Sequence, residues 1–564
     1  MQSWGTRGAW GLSLGIAVSA CTGGSDDGGA AGTETTSATT TVGTGGPNTS
    51  SGGVDDSTGA GTETTGAAAC PPDLAPGPTL VVTDQGPMQG AMTDDGAVAF
   101  LGMPYAAPPV GDLRWAPPQP VACDPDVRDA TQLGSRCAQL QDAVGPVIGD
   151  EDCLHVNVWT PAADDGARPV MVFIHGGGNA IGSAVDPLYD GASLALAGDQ
   201  VVVTLNYRLG ALGWLTHPDL PEVNFGLRDQ VAALQWVAAN IDRFGGDPSR
   251  VTIFGESAGA VNVCALLGSP LAAGLFAGAI VQSGGCRQRD TPTYATDLSD
   301  PFVAAAGCDA DPDPIACLRQ LPAEAVLTTE PTGFPSVGGL GQGWGPSVDP
   351  ATLPVSTLDA MEAGTHNIVP TIIGANAEET ANDAPPLADE AAYVALVNAS
   401  FGIFADDVLM AYPISDYGDD PVATWVALIS DVKFVCSARE SIRAATTGGS
   451  PTWRYEFAFD GYTTGPTMEA AAFHGLELVY IFGNFDAVTF AGFRYQPNAD
   501  DLTMRDTMQA AWSSFAATGS PMTTPAWPAY AVGTDPYLSL DVPSVAGQGV
   551  RTVQCDFWQS LIPG

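Results

Sequence analysis

The sequence predicts an α/β fold, with a mainly parallel central sheet flanked by helices and interrupted by helical insertions. Three observations carry that expectation. Short apolar runs bounded by glycine or polar turns alternate with segments of helical periodicity. One such run passes through a glycine-flanked serine directly into a small-residue helix pattern. Hydrophobic residues make up 45% of the 564 positions, enough for one large α/β domain with insertions.

The elements follow in chain order. Residues 1–20 ("MQSWGTRGAWGLSLGIAVSA") carry one arginine, a short apolar stretch and small residues before Cys21, the pattern of a secretory signal too short to span a membrane. "VSAC" resembles the lipobox of bacterial lipoproteins, in which the cysteine, here Cys21, becomes the lipidated N-terminus. Residues 21–72 are mostly Gly, Ser, Thr, Ala and acid, almost without large apolar groups to offset the entropy of ordering, and read as a disordered linker. The expected domain is 73–564. Its buried strands are read at 169–178, 200–207, 250–257, 277–285 and 368–376. Between the second and third, apolar residues at Leu227, Val231, Leu234, Ala238 and Ile241 mark one helix face. Strands separated by helices imply a parallel sheet covered on both faces.

Charge and cysteines narrow the function. With 63 acidic against 19 basic residues the formal charge is −44, which repels phosphate backbones and anionic bilayers and argues against nucleic-acid binding. Any membrane association is expected only through the N-terminal lipid, placing the protein outside the cytoplasm, in the cell envelope or secreted. Eleven cysteines less a lipidated Cys21 leave ten, an even number suited to disulfides in an exported protein. No C-x-x-C pair suggests a metal site.

The chemistry centres on "VTIFGESAGAVNV", residues 251–263. A G-x-S-x-G match is weak in a chain with 68 glycines, but here it lies between a strand and a helix, the context of a nucleophile elbow with Ser257 at the turn. A serine needs a base. On such elbows the order is serine, acid, histidine, so of His155, His175, His217, His366 and His474 only the last two qualify. His366 precedes a strand, on the edge where strands begin, and reads as structural; His474, in a loop before a helix, is left as the base. The acid is expected just after a strand end, where "TIIGANAEET" offers Glu378 and Glu379, between which the pattern does not choose. "IHGGGN" (174–179) follows a strand upstream, as an oxyanion loop does, so Gly177 and Gly178 would supply bare N–H groups together with Ala258 after the serine. A phosphate-cradling reading fails because G-x-x-x-x-G-K-[ST] is absent.

With these residues in hand, the chain resembles the type-B carboxylesterases, the α/β-hydrolase family that includes the cholinesterases, from about residue 79 to the C-terminus. The likeness rests on "FLGMPYAAPPVGDLRWAPPQP", "EDCLHVNVWTP", "PVMVFIHGGG", "VVVTLNYRLGALGWL", "NFGLRDQVAALQWVAANIDRFGGDPSRVTIFGESAGA", "AWSSFAATGSP" and "CDFWQSLIP". It implies an exported serine carboxylic-ester hydrolase that works on a small-molecule ester through an acyl-enzyme and needs no cofactor or metal. The family's glycine–x4–acid spacing, starting at Gly374, selects Glu379, and its H-G-x-E-L element falls on His474. The resemblance further implies disulfides Cys137–Cys153, Cys308–Cys317, Cys436–Cys555, Cys264–Cys286 and Cys70–Cys123, and an ion pair of Arg114 with Glu151. Asn179 departs from the aromatic residue common after the triple glycine, and Thr380 from the glycine usual after the acid. A lipase acting on longer-chain esters is the alternative reading, and the sequence does not separate the two. Non-catalytic adhesion proteins share the fold, but characteristically lose a triad residue, and this chain keeps all three. The loop between Cys137 and Cys153 holds no aromatic residue, whereas cholinesterases carry a cation-binding tryptophan there.

Overall fold

The computed structural model describes residues 74–141, 145–329, 337, 343–461, 471–490 and 493–561. The expected signal segment, Cys21, the linker and Cys70 lie outside the described residues.

Eleven strands form one sheet. In chain order they are β1 (Ala91–Met92), β2 (Val98–Pro104), β3 (His155–Thr160), β4 (Arg168–Ile174), β5 (Val201–Leu205), β6 (Gly246–Glu256), β7 (Gly278–Gln282), β8 (Thr371–Asn376), β9 (Thr452–Phe457), β10 (Pro536–Leu540) and β11 (Val545–Gln548). Across the sheet the order is β11-β10-β9-β8-β7-β6-β4-β5-β3-β2-β1. Pairing is parallel from β5 through β10 and antiparallel toward both edges. The five runs read as strands from the sequence are β4 to β8, five of the seven strands joined by parallel pairing; β9 and β10 were not read as strands.

Their composition follows from burial on both faces. Along β4, Val170, Val172 and Ile174 enter one core while Met171 and Phe173 enter the other. Successive side chains on a strand point to opposite faces, so a sheet covered twice admits no polar alternation. Each such fully buried side chain contributes about 1.5–3 kcal/mol.

One face is covered by α1 (Phe225–Asn240) and α2 (Ala258–Gly268). Glu390–Phe401 (α3) and Pro421–Ser430 (α4) are insertions that build a satellite core with the C-terminal helix, around Tyr393, Trp425 and Trp558. Cys436–Thr447 (α5) returns to the α1 face. Leu476–Phe482 (α6) and Ala499–Thr518 (α7) cover the opposite face, and Thr552–Leu561 (α8) ends the chain.

The face of α1 differs in one detail from its sequence reading. Val237 is buried and Ala238 is exposed, so the inward stripe runs Val231, Leu234, Val237, Ile241. Steps of three and four fit a helix equally well, and the bulkier residue takes the core side.

Four of the five disulfides that the resemblance implies, and the implied ion pair, are present among the described residues. Disulfides join Cys137 to Cys153, Cys264 to Cys286, Cys308 to Cys317 and Cys436 to Cys555. Cys123 is also disulfide-bonded, to a partner outside the described residues. Arg114 grips Glu151 with two nitrogens and donates from its third to Leu321 O at 2.6 Å.

Candidate active site

The site lies at the carboxyl ends of the central strands. Strand order reverses at β4, which pairs with β5 on one side and β6 on the other. Such a switch point opens a crevice where ligands bind. The glycine loop leaves β4 and the serine turn leaves β6, so both reach this crevice.

Ser257 sits between β6 and α2 with φ +58° and ψ −124°, a conformation side chains rarely adopt. The glycines on either side permit it. A Cβ on Gly255 would stand 2.7 Å from the Gly259 carbonyl, and one on Gly259 would stand 2.0 Å from Ile174 O. Any larger residue at either place would push the helix off the sheet. The serine's N–H donates to Gln282 O at 2.9 Å, tying the turn to the end of β7.

After β4, Gly177 and Gly178 take φ +104° and +62°. Among the described residues no backbone carbonyl accepts from their N–H groups or from that of Ala258. Ala258 opens α2, where the first N–H groups have no intrahelical partner. Three donors on two segments are therefore available to an incoming oxygen.

His474 stands on the loop before α6. Its Nδ1 hydrogen-bonds Glu379 Oε2 at 2.6 Å, and its backbone N–H donates to Glu379 O at 3.0 Å. Glu379 follows β8, is 1% exposed, and takes a second hydrogen bond from Asn376 N–H at 2.8 Å. Glu378 points elsewhere: it is exposed, and its Oε2 accepts from Ala472 N–H at 3.1 Å. The two glutamates that the pattern left open are thus separated by geometry. His366 is buried away from the site against the Ser450 hydroxyl at 2.9 Å.

Two residues of the site were not anticipated. His474 Nε2 faces Glu256 Oε1 at 3.1 Å, and among the described residues no hydrogen bond joins His474 to Ser257. Glu477, in the first turn of α6, is fully buried and accepts from Gln282 Nε2 at 3.0 Å and Asn376 Nδ2 at 2.7 Å. Both could have been signalled by spacing: Glu256 precedes the serine, and Glu477 follows the histidine by three. The Phe434 ring packs on the imidazole at 4.7 Å.

Three buried carboxylates around one imidazole set the electrostatics. Burial pushes Glu256 and Glu477 above the ordinary carboxylate range; His474 pulls both back, while Glu379 raises both further. Burial acts to lower His474, but the charges of Glu256 and Glu379 and the bond to Glu379 outweigh it, and the imidazole titrates above its usual range.

Sheet, crevice and serine turn together define an α/β-hydrolase. The chain matches the model of the carboxylesterase family over residues 77–558. A para-nitrobenzyl esterase of Bacillus subtilis is 36% identical over 82% of this chain and 94% of its own length. A fumonisin B1 esterase of Sphingopyxis macrogoltabida is 35% identical over 78% of this chain and 82% of its own. A solved PNB esterase structure superposes with a TM-score of 0.74 at 32% identity, covering 86% of this chain and all of that one. The chain belongs to the carboxylesterase family, and it is a carboxylic-ester hydrolase.

Proposed function

We propose that the chain hydrolyses esters through a Ser257–His474–Glu379 triad and an acyl-enzyme. Ser257 Oγ attacks the ester carbonyl while His474 Nε2 takes its proton. The N–H groups of Gly177, Gly178 and Ala258 hold the oxyanion. The tetrahedral adduct collapses, the alcohol leaves with the proton from His474, and water then releases the acid by the same route in reverse. Glu379 fixes the tautomer, because Nδ1 must carry the hydrogen that it donates at 2.6 Å for Nε2 to act as a base. The observation that carries this reading is that bond, made beside a serine held at φ +58°. Ser257→Ala is expected to lower kcat for p-nitrophenyl esters by about 10⁴–10⁶. Retention of more than about a tenth of the activity would exclude Ser257 as the nucleophile, given that scale.

The enzyme is exported and held to the cell envelope by lipid on Cys21. What supports this is "VSAC" followed by a linker almost without large apolar residues, and a body stapled by disulfides. Mass spectrometry of the mature protein is expected to find acyl chains on Cys21. An unmodified or differently placed N-terminus removes this part of the reading and leaves the chemistry untouched.

A further inference from the structure

The oxyanion donors lie on two separate segments, and something must hold those segments in register. Gly177 and Gly178 are on the loop after β4, and Ala258 is on α2. Consecutive glycines have no side chains with which to fix their own backbone.

Asn179 is the next residue. It adopts φ +55°, a left-handed conformation in which asparagine is among the few tolerated side chains. Its side chain is buried, at 2% exposure, and bonded at both ends. Oδ1 accepts from Asn262 Nδ2 at 2.8 Å, and Nδ2 donates to Trp344 O at 3.2 Å. Its own carbonyl accepts from Gly210 N–H at 2.7 Å. Asn262 lies on α2 four residues beyond Ala258, so the two stand one turn apart on one side of that helix. Asn262 is itself fully buried and sits beside the Tyr207 hydroxyl, which donates to His175 O at 2.8 Å, the residue that opens the glycine loop. One buried carboxamide therefore links the loop carrying two donors to the helix carrying the third.

We infer that Asn179 is a positioning residue of the oxyanion hole, which through Asn262 and Trp344 sets the spacing between the Gly177 and Gly178 N–H groups and that of Ala258. The inference rests on the oxyanion assignment made above. It has a definite kinetic meaning. Oxyanion donors act on the charge that develops in the transition state, so a small displacement costs turnover and spares ground-state binding. An apolar residue at 179 could fill the space, but it would leave Asn262 Nδ2 and the Trp344 carbonyl without this partner in a buried site.

Asn179→Gly keeps the left-handed backbone and removes both bonds. It is expected to lower kcat for a p-nitrophenyl ester by about 10–100-fold, somewhat less than the loss of a whole donor, with KM changed less than about threefold. Affinity for an alkyl trifluoromethyl ketone, whose adduct places an oxyanion in the hole, should fall in proportion to kcat/KM. Asn262→Ala, which removes the other end, should give the same signature, and it stands as the measurement if Asn179→Gly fails to fold. The double variant should be no worse than about twice the more impaired single, because the Asn179–Asn262 bond is lost in both. Singles within twofold of wild type in kcat, a loss seen only in thermal stability, or losses that multiply in the double variant would each overturn the inference. Ser257→Ala in the same assay separates the two levels. If it stays active, the underlying reading fails; if it is inactive while Asn179→Gly is fully active, only the role of Asn179 fails.

Discussion

Ser257 stores strain that its neighbours must offset. A non-glycine residue so placed costs about 1–3 kcal/mol, here held by the bond to Gln282 O and by the close approach of Gly259 to Ile174. The same economy governs the acid. Glu379→Gln would leave the imidazole without the acceptor that selects its tautomer, and kcat is expected to fall by about 10⁴, as for loss of a triad acid elsewhere. Glu378→Gln, one residue away but exposed, should leave kcat within about twofold, as surface substitutions usually do. The reverse order in steady-state kinetics would mean that the acid is misassigned. The carboxylates facing His474 also make a pH prediction. Because they hold its pKa above the ordinary value, the base form accumulates only as pH rises through that higher value. The acid limb of kcat/KM should accordingly lie above about 6.5, the unperturbed histidine value. Glu256→Gln removes one of the charges that raise it, so the limb should move to lower pH. A limb that stays in place or moves up would show that Glu256 is already neutral where His474 titrates. Ser257, His474 and the glycine loop were legible because each lies in a short local pattern. Glu256 and Glu477 stand at fixed spacings from the serine and the histidine, but their role was not legible, because their charge matters only once β6 and α6 converge on one histidine.

Among elements, legibility tracked an unbroken apolar run rather than burial alone: β9 is buried at five of its six positions but was not read as a strand, because Arg454 and Glu456 interrupt its apolar residues. Strands β4 to β8 were readable because both faces are covered and every position must be apolar, which produces runs that no surface segment would carry. The edge strands β1 and β11 were not. Ala91 and Met92 are exposed, and only one residue of Val545–Gln548 is even half-buried, so neither strand shows a pattern. For α1 the periodicity identified a helix, but not the choice between Val237 and Ala238 as the inward residue. With most of its turns buried, the contrast between faces is too weak to phase it. The insertions α3 and α4 pose the opposite difficulty. In α3 only Tyr393 and Val397 are buried, although the segment Glu390–Ala411 is apolar on average, so hydrophobicity alone does not show which side meets the satellite core. Its packing partner α8 lies far along the chain and is tied back by Cys436–Cys555 across 119 residues. That pairing came from family likeness, since the spacing of cysteines does not determine connectivity.

At the scale of the whole molecule the dominant property is its charge of −44, and the question is whether so negative a protein prefers cationic esters. A field of this size draws cations toward the protein and raises their encounter rate. At physiological ionic strength the Debye length is about 8 Å, so charges farther than that from the crevice contribute little to binding there. Orientation of a cation over the serine needs a contact, and an aromatic face is the usual one. In cholinesterases it is a tryptophan between the first pair of cysteines. The corresponding loop, closed here by Cys137–Cys153, has no aromatic residue, and its ion pair of Arg114 with Glu151 is already internally compensated. The missing cation–π contact is worth roughly 0.5–2 kcal/mol, about a three- to thirtyfold change in affinity. For a choline ester, kcat/KM at physiological salt is therefore expected to be no higher than for a neutral ester with the same acyl group and a similarly bulky alcohol. Lowering the salt should lift the choline ester alone, through a faster encounter, and leave the neutral ester unchanged. A preference of about tenfold or more at physiological salt, worth about 1.4 kcal/mol, would place an aromatic cation site on another loop of the crevice.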